Sequence, residues 1–342
     1  MRQTIFKNIV DWLKTAAGIT VLASIVVAII VTVDRGLFIL INTVVTGGML
    51  AMVAIGLAMV LGVMNVVQFA HGEFFMIGSL TAYYVFTPIA ESLSRHPHPV
   101  LSFCAPFVAI FCALIAGGLA GALTERLVFR QLRKRSRENW VMNTFLLTVG
   151  INVVLINAHQ LLFGTEFKGI TRYWQGPPLS ISDVYFSRDR AMVFLLAVII
   201  CVLFWLFMSY TRTGRAIRSV SQDETGALMM GINLDAIMTL TMAIGCGLAA
   251  VAGGSLLFMY PSYPTVGLEP LYLSWIIVIF VGLGNIMGAF VGGFIVALLK
   301  VLTVEYIGAG WDFVVPVGII IIVLIFKPSG IFGTGVRGVF EQ

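Results

Sequence analysis

The chain has 342 residues, 59% of them hydrophobic and only 11% charged, against roughly 25% charged for a soluble domain. A mean hydropathy of +1.00 excludes a soluble globular fold, which could not cover that much apolar surface, so the bilayer is the solvent. The net charge of +5 then reads as basic loops on one side of a membrane rather than as a nucleic-acid footprint.

Long apolar runs between basic loops predict an all-α polytopic membrane bundle. A barrel would show alternating segments of about ten residues instead. Residues 1–14 place Ile5, Ile9, Trp12 and Leu13 on one helical face, which predicts an interfacial helix lying in the headgroup layer. The apolar run 15–33 is too long for a signal-peptide core and reads as a retained first span. Further spans are expected near 38–62, 66–88, 100–127, 141–162, 190–210, 236–258, 271–283, 287–305 and 311–327. The total is eight to ten, with at least one broken, in a single domain over 15–330 followed by a tail at 331–342.

The stretch 37–88 is nearly all apolar, and at about 1.5 Å per residue it would be over twice as long as a ~30 Å hydrocarbon core is thick. The chain must therefore cross, break and cross back. The break carries Asn65, Gln68, His71 and Glu73 around Gly72. Such groups at membrane depth mark a route or a partner; the competing reading is an interfacial break whose His and Glu reach headgroups.

Further along, Thr144, Thr148, Asn152 and His159 share one sector of the span 141–162 at 100° per residue. A stripe of hydroxyls and amides suits the wall of a polar passage, and equally suits hydrogen bonding to neighbouring helices. The loop 163–189, with Trp174-Gln-Gly-Pro-Pro178, is a candidate docking surface.

The segment 211–236 contains Ser221-Gln-Asp-Glu224, which reads as a capping box. It opens a helix expected to run through Ala227, Leu228, Met229 and Met230 and to stop at Gly231. A short helix with an apolar end suits docking into a groove on a soluble partner; the plainer reading is a connecting helix. Small residues recur every four positions at Gly117/Gly121, Gly245/Ala249/Gly253 and Gly284/Gly288/Gly292, as close helix packing requires. Gly282-Leu-Gly-Asn285 echoes Gly62-Val-Met-Asn65. Paired interruptions of this kind point to a central site and add Asn285 to the pathway candidates.

Cys104, Cys112, Cys201 and Cys246 lie inside apolar runs and read as packed thiols. Lys300, Glu305 and Asp312 are expected to snorkel at a membrane edge. No G-x-x-x-x-G-K-[ST], H-E-x-x-H or G-x-S-x-G pattern occurs, so the expectation is a chain with no catalytic residues, no metal site and no ATP site of its own. Fourteen of the 21 basic residues fall on the side holding the N-terminus, 126–140, 211–236 and the C-terminus, against six opposite. This predicts cytoplasmic termini.

The order of these features resembles the permease subunits of branched-chain amino-acid-type ABC importers. The residues that carry the resemblance are Ala54-Ile-Gly56 with Val67-Gln-Phe-Ala-His71-Gly-Glu73, and Glu125-Arg126-Leu-Val-Phe-Arg130. Thr211-Arg-Thr-Gly214 leading to Gly231-Ile-Asn233, Val281-Gly-Leu-Gly-Asn285, and Lys327-Pro-Ser-Gly330 continue it over roughly 37–335. The resemblance implies an inner-membrane permease with a second permease subunit, two cytoplasmic ATPases that bind the ATP, and an extracytoplasmic solute-binding protein as partners. It also implies that the 221–231 helix is the coupling helix. Such loops commonly read E-A-A-x-x-x-G, whereas here Thr225-Gly226-Ala227 stand at the start and the acids are Asp223 and Glu224. Branched-chain amino acids are the expected cargo, with urea, short amides or other amino acids as alternatives. An ion-coupled carrier is disfavoured by the scarcity of intramembrane acids.

Overall fold

The computed structural model describes residues 15–96, 98–135, 140–181 and 184–333. The expected interfacial helix at 1–14 and most of the expected tail lie outside the described residues. In chain order the helices are α1 (Ala16–Arg35), α2 (Leu37–Met64), α3 (His71–Arg95), α4 (Pro99–Thr124), α5 (Arg130–Arg135), α6 (Trp140–Phe163), α7 (Arg188–Tyr210), α8 (Arg212–Gln222), α9 (Glu224–Met229), α10 (Leu234–Ser255), α11 (Leu268–Val281), α12 (Ile286–Tyr306) and α13 (Val314–Phe326). A π-turn, Glu125–Phe129, joins α4 to α5, and a two-stranded hairpin, β1 (Leu179–Ile181) with β2 (Val184–Phe186), precedes α7.

Among the described residues, eight helical segments are long and apolar enough to cross a membrane, the last being Ala309–Phe326, in which a 3-10 turn at Ala309–Trp311 leads into α13. Adding α3 and the short α11 brings the number to the expected upper bound. The centre of the bundle is α2, buried over 89% of its most apolar window, with α10 beside it at 78%. Their sequences explain this placement. Ala54, Gly56 and Ala58 on α2 and Gly245, Ala249 and Gly253 on α10 let backbones approach, which replaces the missing hydrophobic drive between helices in lipid. The outer helices α1, α6 and α13 expose apolar side chains such as Ile30, Leu146 and Ile322, as lipid-facing surfaces should.

Two helices begin inside the bundle. The chain leaves α2 at Asn65, whose left-handed φ of 51° Asn tolerates better than most residues. It then climbs without helical structure to His71. There the His71 ring lies against the carbonyl of Val53, about 16 Å back along α2 from its end. The second is α11, whose 14 residues span about 21 Å, short of a ~30 Å core. It starts against α3, where a Cβ on Gly72 would meet the carbonyl oxygen of Gly267 at 2.3 Å. The chain then turns through Gly282-Leu-Gly-Asn285, and α12 folds back along α11, so that Lys300 returns to Glu269. The stretch 271–305 is thus a half-helix followed by a full crossing.

The two Gly–Asn interruptions meet at one end of the bundle, where a Cβ on Gly62 would lie 2.9 Å from Gly284 Cα. Lys327–Gly333 folds under the second, with Ile331 N–H donating to Phe280 O at 2.8 Å. The glycine stripes pack as the plainer reading expects: Gly117 faces Ala250, and Gly121 faces Cys246.

Candidate functional site

The break 65–70 and the polar stripe of α6 meet. Thr148 Oγ1 donates to Val67 O at 3.0 Å. Asn152 Nδ2 donates to Glu73 Oε1 at 3.1 Å and, more weakly, to Phe69 O at 3.4 Å. The α6 stripe therefore supplies the donors for backbone that a broken helix leaves unpaired. Phe69 stacks on Trp275 of α11, ring centroids 5.4 Å apart, and meets Phe145 of α6 edge-on at 5.3 Å. Two helices, α6 and α11, thus converge on one non-helical turn.

Gln68, His71 and Glu73 are each completely buried. Gln68 Nε2 reaches Cys246 Sγ at 3.7 Å, about 18 Å along α10 from Leu234, so the cluster sits at mid-height. The His71 contact to Val53 O, at 3.2 Å, puts the ring proton on Nε2, because a carbonyl only accepts. Gln68 Oε1, His71 Nδ1 and Glu73 Oε2 find no hydrogen-bond partner among the described residues. Three unpaired buried polar atoms in one cluster are costly.

The other expected residues divide. Thr144 is buried but bonds only its own helix, to Trp140 O and Val141 O. His159 is buried at the far end of the stripe and packs edge-on against Phe163. Asn65 is exposed where α2 ends. Asn285 caps α12, its Oδ1 accepting from Gly288 N at 2.8 Å while its Nδ2 donates to Phe332 O. Neither asparagine joins the mid-height cluster; both serve as helix ends at the face where the interruptions meet.

A second polar group departs from the sequence expectation. Lys300 does not snorkel: it is 9% exposed and pairs with Glu269 and, at 3.3 Å, with Asp312. Glu269 helps to line a cleft with Met49, Phe75, Tyr260, Tyr263, Val266, Pro270 and Leu273. The non-helical loop 256–267 that carries both tyrosines is stitched to the long loop by paired backbone bonds between Lys168 and Ser262, at 2.9 and 2.8 Å. In that loop Trp174 is buried, its Nε1 donating to Phe103 O. It is an anchor for the loop rather than a docking handle.

The segment 211–236 forms two helices rather than one. Ser221 lies in the last turn of α8, donating to Arg218 O at 2.9 Å, so the expected capping box does not form; Asp223 takes the N-cap position of α9 instead. The α8 start is set by Thr211, whose Oγ1 accepts from Gly214 N at 2.9 Å. The expected stop holds. Gly231 adopts φ 79° and Ile232 N–H returns to Ala227 O at 3.1 Å, a glycine-terminated helix end. Ala227 is buried, while Leu228, Met229 and Met230 are 59%, 83% and 84% exposed, an apolar tip on an otherwise polar segment.

A polytopic bundle with helices broken at mid-height, a buried polar cluster at the break and an apolar helical tip beyond one face defines a membrane transport protein. The chain belongs to the family of permease components of the branched-chain amino acid transport system, whose pattern it matches over residues 39–324. It is 31% identical over 300 residues to the high-affinity branched-chain amino acid transport system permease protein BraD of Pseudomonas aeruginosa, covering 86% of this chain and 94% of that protein. It is 28% identical over 297 residues to LivH of Escherichia coli K12, covering 85% and 94%. A probable LivH permease of Methanocaldococcus jannaschii is 24% identical over 310 residues, covering 85% and 91%. No solved structure matches at a significant level. The chain is accordingly a multi-pass permease of the cytoplasmic membrane.

Proposed function

We propose that this permease carries branched-chain amino acids inward as one subunit of an ATP-driven importer, by alternating access at the 65–73 break. The mechanism rests on a single observation: a helix interruption at mid-height where Glu73 and the carbonyls of Val67 and Phe69 meet the donors of α6, and where Gln68, His71 and Glu73 each keep one buried atom unpaired. All three are buried, so this is a closed state. Parting α6 from the break would expose a polar, partly aromatic strip (Glu73, Asn152, Phe69) along which an amphipathic amino acid could pass. Substrate selection would rest chiefly with an extracytoplasmic binding protein docked on the loop 164–187.

In this reading both termini and α8–α9 face the cytoplasm, as the basic loops favour. The tip Leu228–Met230 inserts into an ATPase, one of two that hold ATP, and a second permease subunit completes the pathway. The names of the relatives support branched-chain cargo. Co-purification from native membrane followed by uptake assays in vesicles tests the proposal. ATPase subunits should accompany the chain, and leucine, isoleucine and valine should outcompete urea and short amides. A lone chain driving uptake on an ion gradient would overturn it.

A further inference from the structure

Besides the Lys300 group, a second ionic cluster lies outside the proposed pathway. At the base of α4 the π-turn widens the helix, and Glu125 is turned inward and completely buried. Its Oε1 accepts from Arg133 at 2.9 Å, and its Oε2 accepts from Thr239 Oγ1 at 2.5 Å. Arg133 also reaches Asp235 Oδ1 at 3.0 Å, and Arg130 holds Asp235 Oδ2 at 2.6 Å. Two arginines from one element and two acids from two elements therefore close a charge-neutral clamp between α5 and the first turns of α10.

Its position gives it a purpose beyond stability, since ion pairs, whether partly exposed like Arg130–Asp235 or buried, add little net stability, and π-turns gather at functional places. Asp235 stands two residues after Asn233, which caps α10 by accepting from Ala236 N at 3.1 Å. The α9 tip thus joins α10 through only a short turn, and a push on α9 could be spent by bending at that turn. Above the clamp, Gly117 and Gly121 of α4 pack on the Ala250 and Cys246 side chains of α10 and beside the carbonyls of Cys246 and Met242. Cys246 in turn holds Gln68 of the break.

We propose that the Glu125–Arg133–Asp235–Arg130 clamp is the positioning element that fuses α4 and α10 into one lever, so that displacement of α9 reaches the break at Gln68. The inference rests on the coupling role proposed above for α9. None of the four residues touches solute; they act through α10.

The test uses the complete importer, with its ATPases and binding protein, reconstituted in vesicles, and measures leucine uptake and ATP hydrolysis together. Asp235→Asn and Arg133→Gln should lower the solute moved per ATP about fivefold or more, the lower range of couplings between distant sites, while assembly and hydrolysis persist. The conservative Arg133→Lys, which keeps a cation between Glu125 and Asp235, should recover most of the loss. If Arg133→Gln fails to assemble, Asp235→Asn alone carries the measurement. An unchanged ratio, or uptake and hydrolysis falling in parallel, overturns the clamp's role. Absence of ATP-driven uptake in the unmodified complex would instead overturn the importer reading.

Discussion

Asn152 donates to Glu73 across 3.1 Å, joining the middle of α6 to the first turn of α3 and closing the break between them. Removing the donor with Asn152→Ala leaves a buried carboxyl with fewer partners, a loss of about 1–3 kcal/mol. Asn152→Asp sets two carboxyls face to face and should be worse. Uptake at matched membrane levels should rank unmodified, then Asn152→Ala, then Asn152→Asp; three equal rates would remove this contact from the mechanism.

The crossing of Gly72 and Gly267 admits no side chain. Gly72→Ala would put a methyl 2.3 Å from a backbone oxygen, and overpacking of this kind costs about 1–3 kcal/mol. Gly150 offers the contrast. It is exposed on α6, and a methyl added there would have nothing within 4 Å of it, so Gly150→Ala should gain helix propensity of up to about 1 kcal/mol. Thermal unfolding in detergent should fall for the first variant and hold or rise for the second.

The apolar tip of α9 can be separated from its root. Met229 is 83% exposed whereas Ala227 is 4% exposed. Met229→Asp should abolish capture of the ATPase subunits while leaving the chain folded; Ala227→Asp, which buries a charge, should lower the amount of folded protein itself. Retention of ATPase by Met229→Asp would place the contact elsewhere.

Asp189 anchors the long loop between α6 and α7. It is 2% exposed, and its Oδ1 accepts from both Tyr173 N and Trp174 N at 2.8 Å. Asp189→Ala strands two buried amides, each costing about 1–3 kcal/mol. Hydrogen exchange at 173–174 should accelerate well above that of the unmodified chain, and binding-protein docking should weaken; unchanged exchange would show that the anchor is elsewhere.

Much of the fold is legible in the sequence because membranes impose strict lengths. Apolar runs mark the spans, and the polar residues between Asn65 and Glu73 mark the break, since nothing in lipid tolerates them without partners. The α6 stripe is visible by its period, but periodicity does not say which neighbour it faces. Thr148 and Asn152 reach the break, while Thr144 turns to its own helix. Ser221 fails as a cap because Thr211 has already started a helix that runs past it. Lys300 reads as a snorkelling residue in the sequence because its partner Glu269 is brought alongside only by the return of α12 along α11, a tertiary fact with no local signal. The clamp at Glu125 is hidden for the same reason: Arg133 and Asp235 lie 102 residues apart, and only the packing of α4 against α10 brings them together.

The central claim is that this conduit has no engine and is driven through α9 by subunits that hydrolyse ATP. Uptake of labelled leucine against a gradient, compared between vesicles holding the chain alone and vesicles holding the complete complex with ATP, tests it most directly. Accumulation only in the complete complex, lost on ATP removal, is the predicted result; accumulation by the chain alone would contradict it.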